Sequence, residues 1–451
     1  MNASCRHLYH FFAALSFFLV TAPSAGFAVS RDVPHLVFAH YMVCCPRLGH
    51  NATVEDFKSE IRDAQSRKLD GFALNLGSWS KEPYYRDITR RMFQAAKELS
   101  SGFKLFFSFD GTSPADALAM LSEFGDHPNY FRVDHRPVIS SYSGSPKWGA
   151  DMAKQFNERG IQPLLILNYQ YLSDFPFAKN YITPTAGFLD RLYAENPILD
   201  GYFFFALDLG YKPAPTIIPL VAERSKAAGK ISMVGISPFY RGLRGNFRVF
   251  EGGGFRGMAA QWMAAIQSGV NWVEIVTWND WGEATYVAPF GEPRDQDLWN
   301  YQWGPLLAHV GFLDASAYFI DWFKTDVAPT IQNDRIFYFY RLHRKTAIGI
   351  RVPETGEQGR PAGWENLDDR IFFTSFLKNP VNIDVRVGDR RVLFGLEPGV
   401  SYHDVDLSEG AITLTVRDQQ KLLAEKQLEF PVTTLGQIGN FNYFAGELSL
   451  P

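Results

Sequence analysis

The sequence predicts an α/β chain: a (β/α)8 TIM-type barrel followed by a C-terminal antiparallel β-sandwich. Between residues 35 and about 280, short apolar runs alternate with amphipathic helical stretches. Runs that are apolar on both faces and separated by helices are parallel strands covered by helices. Roughly eight such units in about 250 residues match the barrel in count and length. No glycine-rich phosphate loop follows the first run, which argues against the competing doubly wound sheet. After the barrel segment the helical patterns stop and period-2 alternation begins.

At the N-terminus, Arg6 and His7 precede "LYHFFAALSFFLV", a run too short for a membrane span, and then "TAPSAGFA". Residues 1–28 read as a signal peptide cut after Ala28, which predicts a secreted or periplasmic protein with no membrane span once it is removed. The barrel is expected over residues 29–330. Its strands are "HLVFAHY" (35–41), "GFALNLG" (71–77), "FKLFFSFD" (103–110), "RPVISSYS" (136–143), "QPLLILNYQ" (162–170), "GYFFFALD" (201–208), "ISMVGISPFY" (231–240) and "WVEIVTWND" (272–280). In the helix over 53–68, Thr53 is a candidate N-cap, and Val54, Phe57, Ile61 and Ala64 form one stripe. Further helices are read over 88–100, 114–124, 216–229 and 255–269, with a closing helix over 303–325. Over 331–451, "DRIFYFYRLH", "DRIFFTSFLK", "VNIDVRVG", "RRVLFGL", "AITLTVRD" and "KLLAEKQLEF" read as antiparallel strands of a sandwich accessory domain. This domain either binds polysaccharide or braces the barrel.

The net charge of −4 argues against nucleic-acid or anionic-membrane partners, which require basic patches. Aromatic residues reach 15%, a surplus that fits a core and also ring-stacking sites for sugars. Of 3 cysteines, Cys5 leaves with the signal. The adjacent pair Cys44 and Cys45 is expected as two free, partly buried thiols rather than a vicinal bridge. No Cys/His cluster has zinc spacing, so neither a metal nor another cofactor is expected.

Barrel active sites occupy the C-terminal tips of the strands. Those tips carry His40, Tyr41, Asn75, Asp110, Asn168, Tyr169, Asp208 and Tyr240, and the last strand ends in "TWNDWGEATY". The carboxylates Asp110, Asp208, Asp280 and Glu283 are expected to converge on one mouth. An acid cluster with aromatic walls suits glycoside hydrolysis, which needs one protonated carboxyl and one carboxylate. Asp280 and Glu283 are the candidate catalytic pair. Asp110 and Asp208 have an alternative reading as turn caps, His40 as a hydrogen-bonded wall residue, Asn75 and Asn168 as partners of backbone groups, and Trp79 as core.

In order along the barrel, "VFAHYMV", "DGFALNLG", "FKLFFSFD", "ISPFY" and above all "VEIVTWNDWGEATYVAP" resemble glycoside hydrolase family 71, the α-1,3-glucanases or mutanases. The resemblance implies a barrel with a β-sandwich, inverting hydrolysis of α-1,3-glucan, and an acid/base role for Asp280 and Glu283. Glu283 is assigned as the acid and Asp280 as the base, with the exchanged roles as the alternative. His40, Tyr41, Asn75, Asp110, Asn168, Tyr169, Asp208, Tyr240, Trp278, Asn279, Trp281 and Tyr286 are the expected substrate-binding residues. The expected partner is a polysaccharide or oligosaccharide. The segments "YMVCCPRLGHN", "FFFALDLGY" and "SPFY" depart from the family pattern. The other readings are a non-catalytic polysaccharide-binding protein and a related barrel glycosidase acting on another α-glycan, such as a mannan.

Overall fold

The computed structural model describes residues 33–169, 184–205, 214–242, 247–290, 306–350, 360–437 and 441–451. The predicted signal peptide and Asp208 lie outside the described residues. Eight parallel strands form the barrel: β1 (Leu36–Met42), β2 (Gly71–Leu76), β3 (Lys104–Phe109), β4 (Arg136–Ser141), β5 (Leu164–Leu167), β6 (Gly201–Phe204), β7 (Ile231–Ile236) and β8 (Trp272–Ile275). Pairing of β8 with β1 and of β3 with β4 closes the ring. All of β2 is buried, as a strand between barrel core and helices must be. Gly71 is required there, because a Cβ would press on the Lys104 carbonyl of β3.

Around the barrel run α1 (Val54–Ser66), α2 (Pro83–Leu99), α3 (Pro114–Phe124), α4 (Pro146–Glu158), α5 (Ala186–Glu195), α6 (Ala214–Ala227), α7 (Phe255–Ser268) and α8 (Val310–Thr325). Their starts follow from local chemistry. Thr53 and Asp56 form a reciprocal capping box on α1, while Ser113, Ser145 and Thr185 cap α3, α4 and α5 through their hydroxyls. The buried stripe of α1 is Phe57, Glu60, Ile61 and Ala64. The expected Val54 packs partly buried on the same core, and the stripe also contains a carboxylate, Glu60. Among the described residues no helix is long and apolar enough to cross a membrane.

The C-terminal part forms antiparallel sheets. One orders Gly399–Asp406, Arg370–Leu377, Arg335–Arg341 and Tyr443–Ser449; another orders Arg390–Leu396, Val381–Val387, Ile412–Asp418 and Lys421–Gln427. The strands Gly399–Asp406 and Tyr443–Ser449 were not expected from the pattern. Tyr338, Tyr340, Ile371 and Phe373 of the first sheet share an apolar cluster with Ile383, Val385, Leu414 and Val416 of the second. The opposite face of the first sheet, with Phe337, Phe339, Phe372 and Phe376, joins the barrel's own core. Phe339 packs on Phe312 of α8 at 4.6 Å between ring centroids, and Gly311 lets α8 approach Ala445 closely. This sheet therefore braces α7 and α8 from outside. Arg341 pins the joint by ion-pairing with Glu251 at 2.8 Å, both side chains being buried.

Candidate active site

Successive strand residues point to opposite faces, so residue parity decides which tips reach the mouth. On β1, Tyr41 turns outward and donates its hydroxyl to Glu60 of α1 at 3.3 Å. His40 therefore faces the barrel interior. Its Nδ1 lies 2.5 Å from Oε1 of Glu274 on β8, with both side chains fully buried. Glu274 was missed in the sequence because it interrupts the apolar run "WVEIV". The interruption itself was the available signal, since a charge inside a barrel strand requires a partner. Burial raises the Glu274 carboxyl and the His40 charge pulls it back down.

Asp280 lies above this pair on the loop that follows β8. Its backbone N–H donates to Thr277 Oγ1 at 2.9 Å, and its Oδ1 accepts the backbone N–H of Glu283 at 2.9 Å. Burial raises the Asp280 carboxyl, against the opposing pull of the Glu283 N–H, the His40 charge and the Gly282 N–H. Glu283 accepts the Tyr240 hydroxyl at 3.0 Å. Tyr240 is fully buried, so it reaches the site through its hydroxyl and not through a ring face. Asp110, at the tip of β3, is also raised by burial and drawn down by His40 and by a hydrogen bond from Asn75. His40 thus acts electrostatically on Asp110 on one side and Asp280 on the other. Asp110, Asp280 and Glu283 are each only half-buried, leaving three acids reachable from the mouth.

The expected aromatic collar is buried in the protein. Trp278 is fully buried behind the barrel wall and donates Nε1 to Glu60 at 2.8 Å. Tyr286 is buried, stacks on His309 at 4.0 Å and donates to the Leu307 carbonyl. Asn279 and Trp281 are buried and bind the loop after β1, the Trp281 Nε1 reaching the Cys45 carbonyl at 3.0 Å. Tyr169 is buried against Gly149 of α4, with its hydroxyl lodged where a Cβ there would stand. These residues, with Tyr41, are buried within the protein. Asn168 donates Nδ2 to the Tyr142 carbonyl at 2.5 Å, the backbone-partner alternative. Trp79 is core, edge-on to Phe124.

Two residues near the mouth, Phe205 and Tyr85, were not singled out. Phe205 lies edge-on to His40 at 5.0 Å and to Tyr142 at 4.8 Å. Tyr85, from the first turn of α2, is half-buried and has its phenol raised by burial, with the Asp110 charge among the smaller causes. Cys44 and Cys45 are joined in a disulfide, which overturns the expectation of free thiols. Two adjacent cysteines in a chain read as exported were the available signal for it.

Comparison with known proteins follows the same line. The ascus wall endo-1,3-alpha-glucanase of Schizosaccharomyces pombe is 26% identical over 374 residues, covering 78% of this chain and 81% of that protein. The glucan endo-1,3-alpha-glucosidase agn1 of the same organism is 25% identical, covering 92% of this chain and 94% of that one. Among solved structures, a GH99 endo-alpha-mannosidase from Bacteroides thetaiotaomicron aligns with a TM-score of 0.48 and 17% identity, covering 65% of this chain and 98% of that chain. The family described as glycosyl hydrolase family 71 matches residues 34–450. With that match spanning the barrel and the C-terminal sheets together, the chain belongs to glycosyl hydrolase family 71.

Proposed function

We propose that this enzyme hydrolyses α-1,3-glucan or a related α-linked polysaccharide with inversion, Asp280 serving as general base and Glu283 as general acid. The observation that carries this reading is the loop after β8. It holds the Asp280 carboxylate with the backbone N–H of Glu283 and ties Glu283 to the Tyr240 hydroxyl, at the mouth of a closed barrel. A carboxylate held by backbone donors stays available as an anion, and burial raises its basicity toward the range where a base works well. Asp280 then takes a proton from the attacking water while Glu283 gives one to the departing glycosidic oxygen. Asp110, held by Asn75, binds sugar hydroxyls, and His40 acts from beneath as a buried charge partner rather than a sugar contact. The names of the relatives support an α-1,3-linked substrate.

In this reading the chain is exported through residues 1–28 and acts outside the cytoplasm. Residues 29–330 form the catalytic barrel and 331–451 a β-sandwich that braces it; the apolar cluster shared by the two sheets supports the sandwich. The test is reducing-sugar release from α-1,3-glucan and from a panel of other glycans, comparing the native chain with Asp280→Asn and Glu283→Gln. Full activity in both variants contradicts the assignment. Glycan binding without turnover in the native chain favours a non-catalytic binding protein.

A further inference from the structure

The two chain neighbours of Asp280 hang on one atom. The Cys45 carbonyl oxygen accepts Nδ2 of Asn279 at 2.8 Å and Nε1 of Trp281 at 3.0 Å. Two donors occupy both lone pairs of that oxygen. Asn279 also grips Met42 at the end of β1, accepting its N–H at 2.7 Å and donating to its carbonyl at 2.9 Å. The loop after β1 is therefore the template on which the Asp280 segment is set. Cys45 closes a turn by donating its N–H to the Met42 carbonyl at 3.1 Å. The disulfide between Cys44 and Cys45 closes a small ring across that turn, and Pro46 restricts the Cys45 backbone from the other side.

We propose that the Cys44–Cys45 bridge is a positioning element for Asp280: it fixes the Cys45 carbonyl, and opening it loosens the segment that carries the carboxylate. The inference rests on the reading of Asp280 as a catalytic carboxylate. A dithiol reductant opens the bridge by giving two electrons and two protons, leaving a thiol on each Sγ and becoming a cyclic disulfide itself. Both cysteines are partly buried, with Cys45 packed against the barrel core, so opening of the bridge is verified directly. The rest of the loop has independent anchors, since Arg47 binds Asp63 at 2.8 Å and the Pro289 carbonyl at 2.6 Å. Reduction therefore acts locally and leaves the barrel folded.

The experiment treats the full folded chain with dithiothreitol, verifies two free thiols by intact mass, and measures kcat and KM on α-1,3-glucan oligosaccharides. Hydrogen exchange over residues 277–287 is followed in parallel. A displacement of about 1 Å at a reacting group is enough for large rate losses, so kcat is expected to fall about tenfold or more with KM within about twofold. Exchange over 277–287 speeds up, and reoxidation restores both readings. The Cys44→Ser/Cys45→Ser double variant is expected to match the reduced chain; should it not fold, chemical reduction decides. Unchanged kcat and unchanged exchange in verified reduced protein overturn the proposal, as does a lowered Tm with the kcat of the folded fraction intact. If the oxidised chain cleaves no glycan, the functional reading has failed, and the exchange measurement alone still tests the bridge.

Discussion

His40 Nδ1 and Glu274 Oε1 meet at 2.5 Å inside the barrel, joining the first and last strands beneath the acids of the mouth. Both groups are fully buried, and the contact is a short hydrogen bond. Removing one partner of a buried pair leaves the other uncompensated. Glu274→Ala is therefore expected to lower the unfolding free energy by about 3–5 kcal/mol, and Glu274→Gln by clearly less. Denaturant unfolding followed by circular dichroism measures both; equal and small losses contradict the pairing.

The same geometry sets a pH dependence. A general base must be ionised, and burial raises Asp280 above the ordinary aspartate value of about 3.9. The acid limb of kcat/KM is expected to lie above that value. The His40 charge pulls Asp280 down, so His40→Gln should move the acid limb to higher pH. A limb that stays in place in this variant shows that His40 does not act on the base.

The two carboxylates should be separable by leaving group. A glycosyl fluoride departs without needing a proton, so Glu283→Gln is expected to keep most of its turnover on an α-glucosyl fluoride. On polysaccharide it should lose about a hundredfold or more. Asp280→Asn should lose activity on both. Steady-state kinetics on the two substrates check this, and the reverse pattern exchanges the two roles.

The joint between barrel and C-terminal sheets has its own pH signature. Burial would raise Glu251, but Arg341, the Tyr443 hydroxyl and the Asp368 N–H hold it below the usual glutamate range. A carboxyl depressed in the folded state stabilises above its unfolded value of about 4.3 and loses that contribution as pH falls through the folded value. Arg341→Met should destabilise the chain by about 3–5 kcal/mol at neutral pH. Without Arg341, burial raises Glu251 in the folded variant, so the loss should already shrink as pH falls toward the unfolded value of about 4.3 and Glu251 takes up a proton. Thermal melts across pH measure it.

The barrel was legible because its strands are buried on both faces and its helices start at readable caps such as Thr53. Gly399–Asp406 was not, since most of its residues are only half-buried and lack alternation. At the site, parity and long-range partners were the missing information. Trp278 and Trp281 flank Asp280 in sequence, yet their partners are Glu60 and Cys45, more than two hundred residues earlier. Glu274 pairs with His40 only because closure sets β8 beside β1, a register that local pattern does not contain.

Proton NMR of the anomer first released from an α-1,3-linked glucan oligosaccharide tests the central claim most directly. Inversion by Asp280 and Glu283 predicts that the β-anomer appears first and mutarotates afterwards, with this signal lost in Asp280→Asn. The α-anomer appearing first, or unchanged release by Asp280→Asn, contradicts the account.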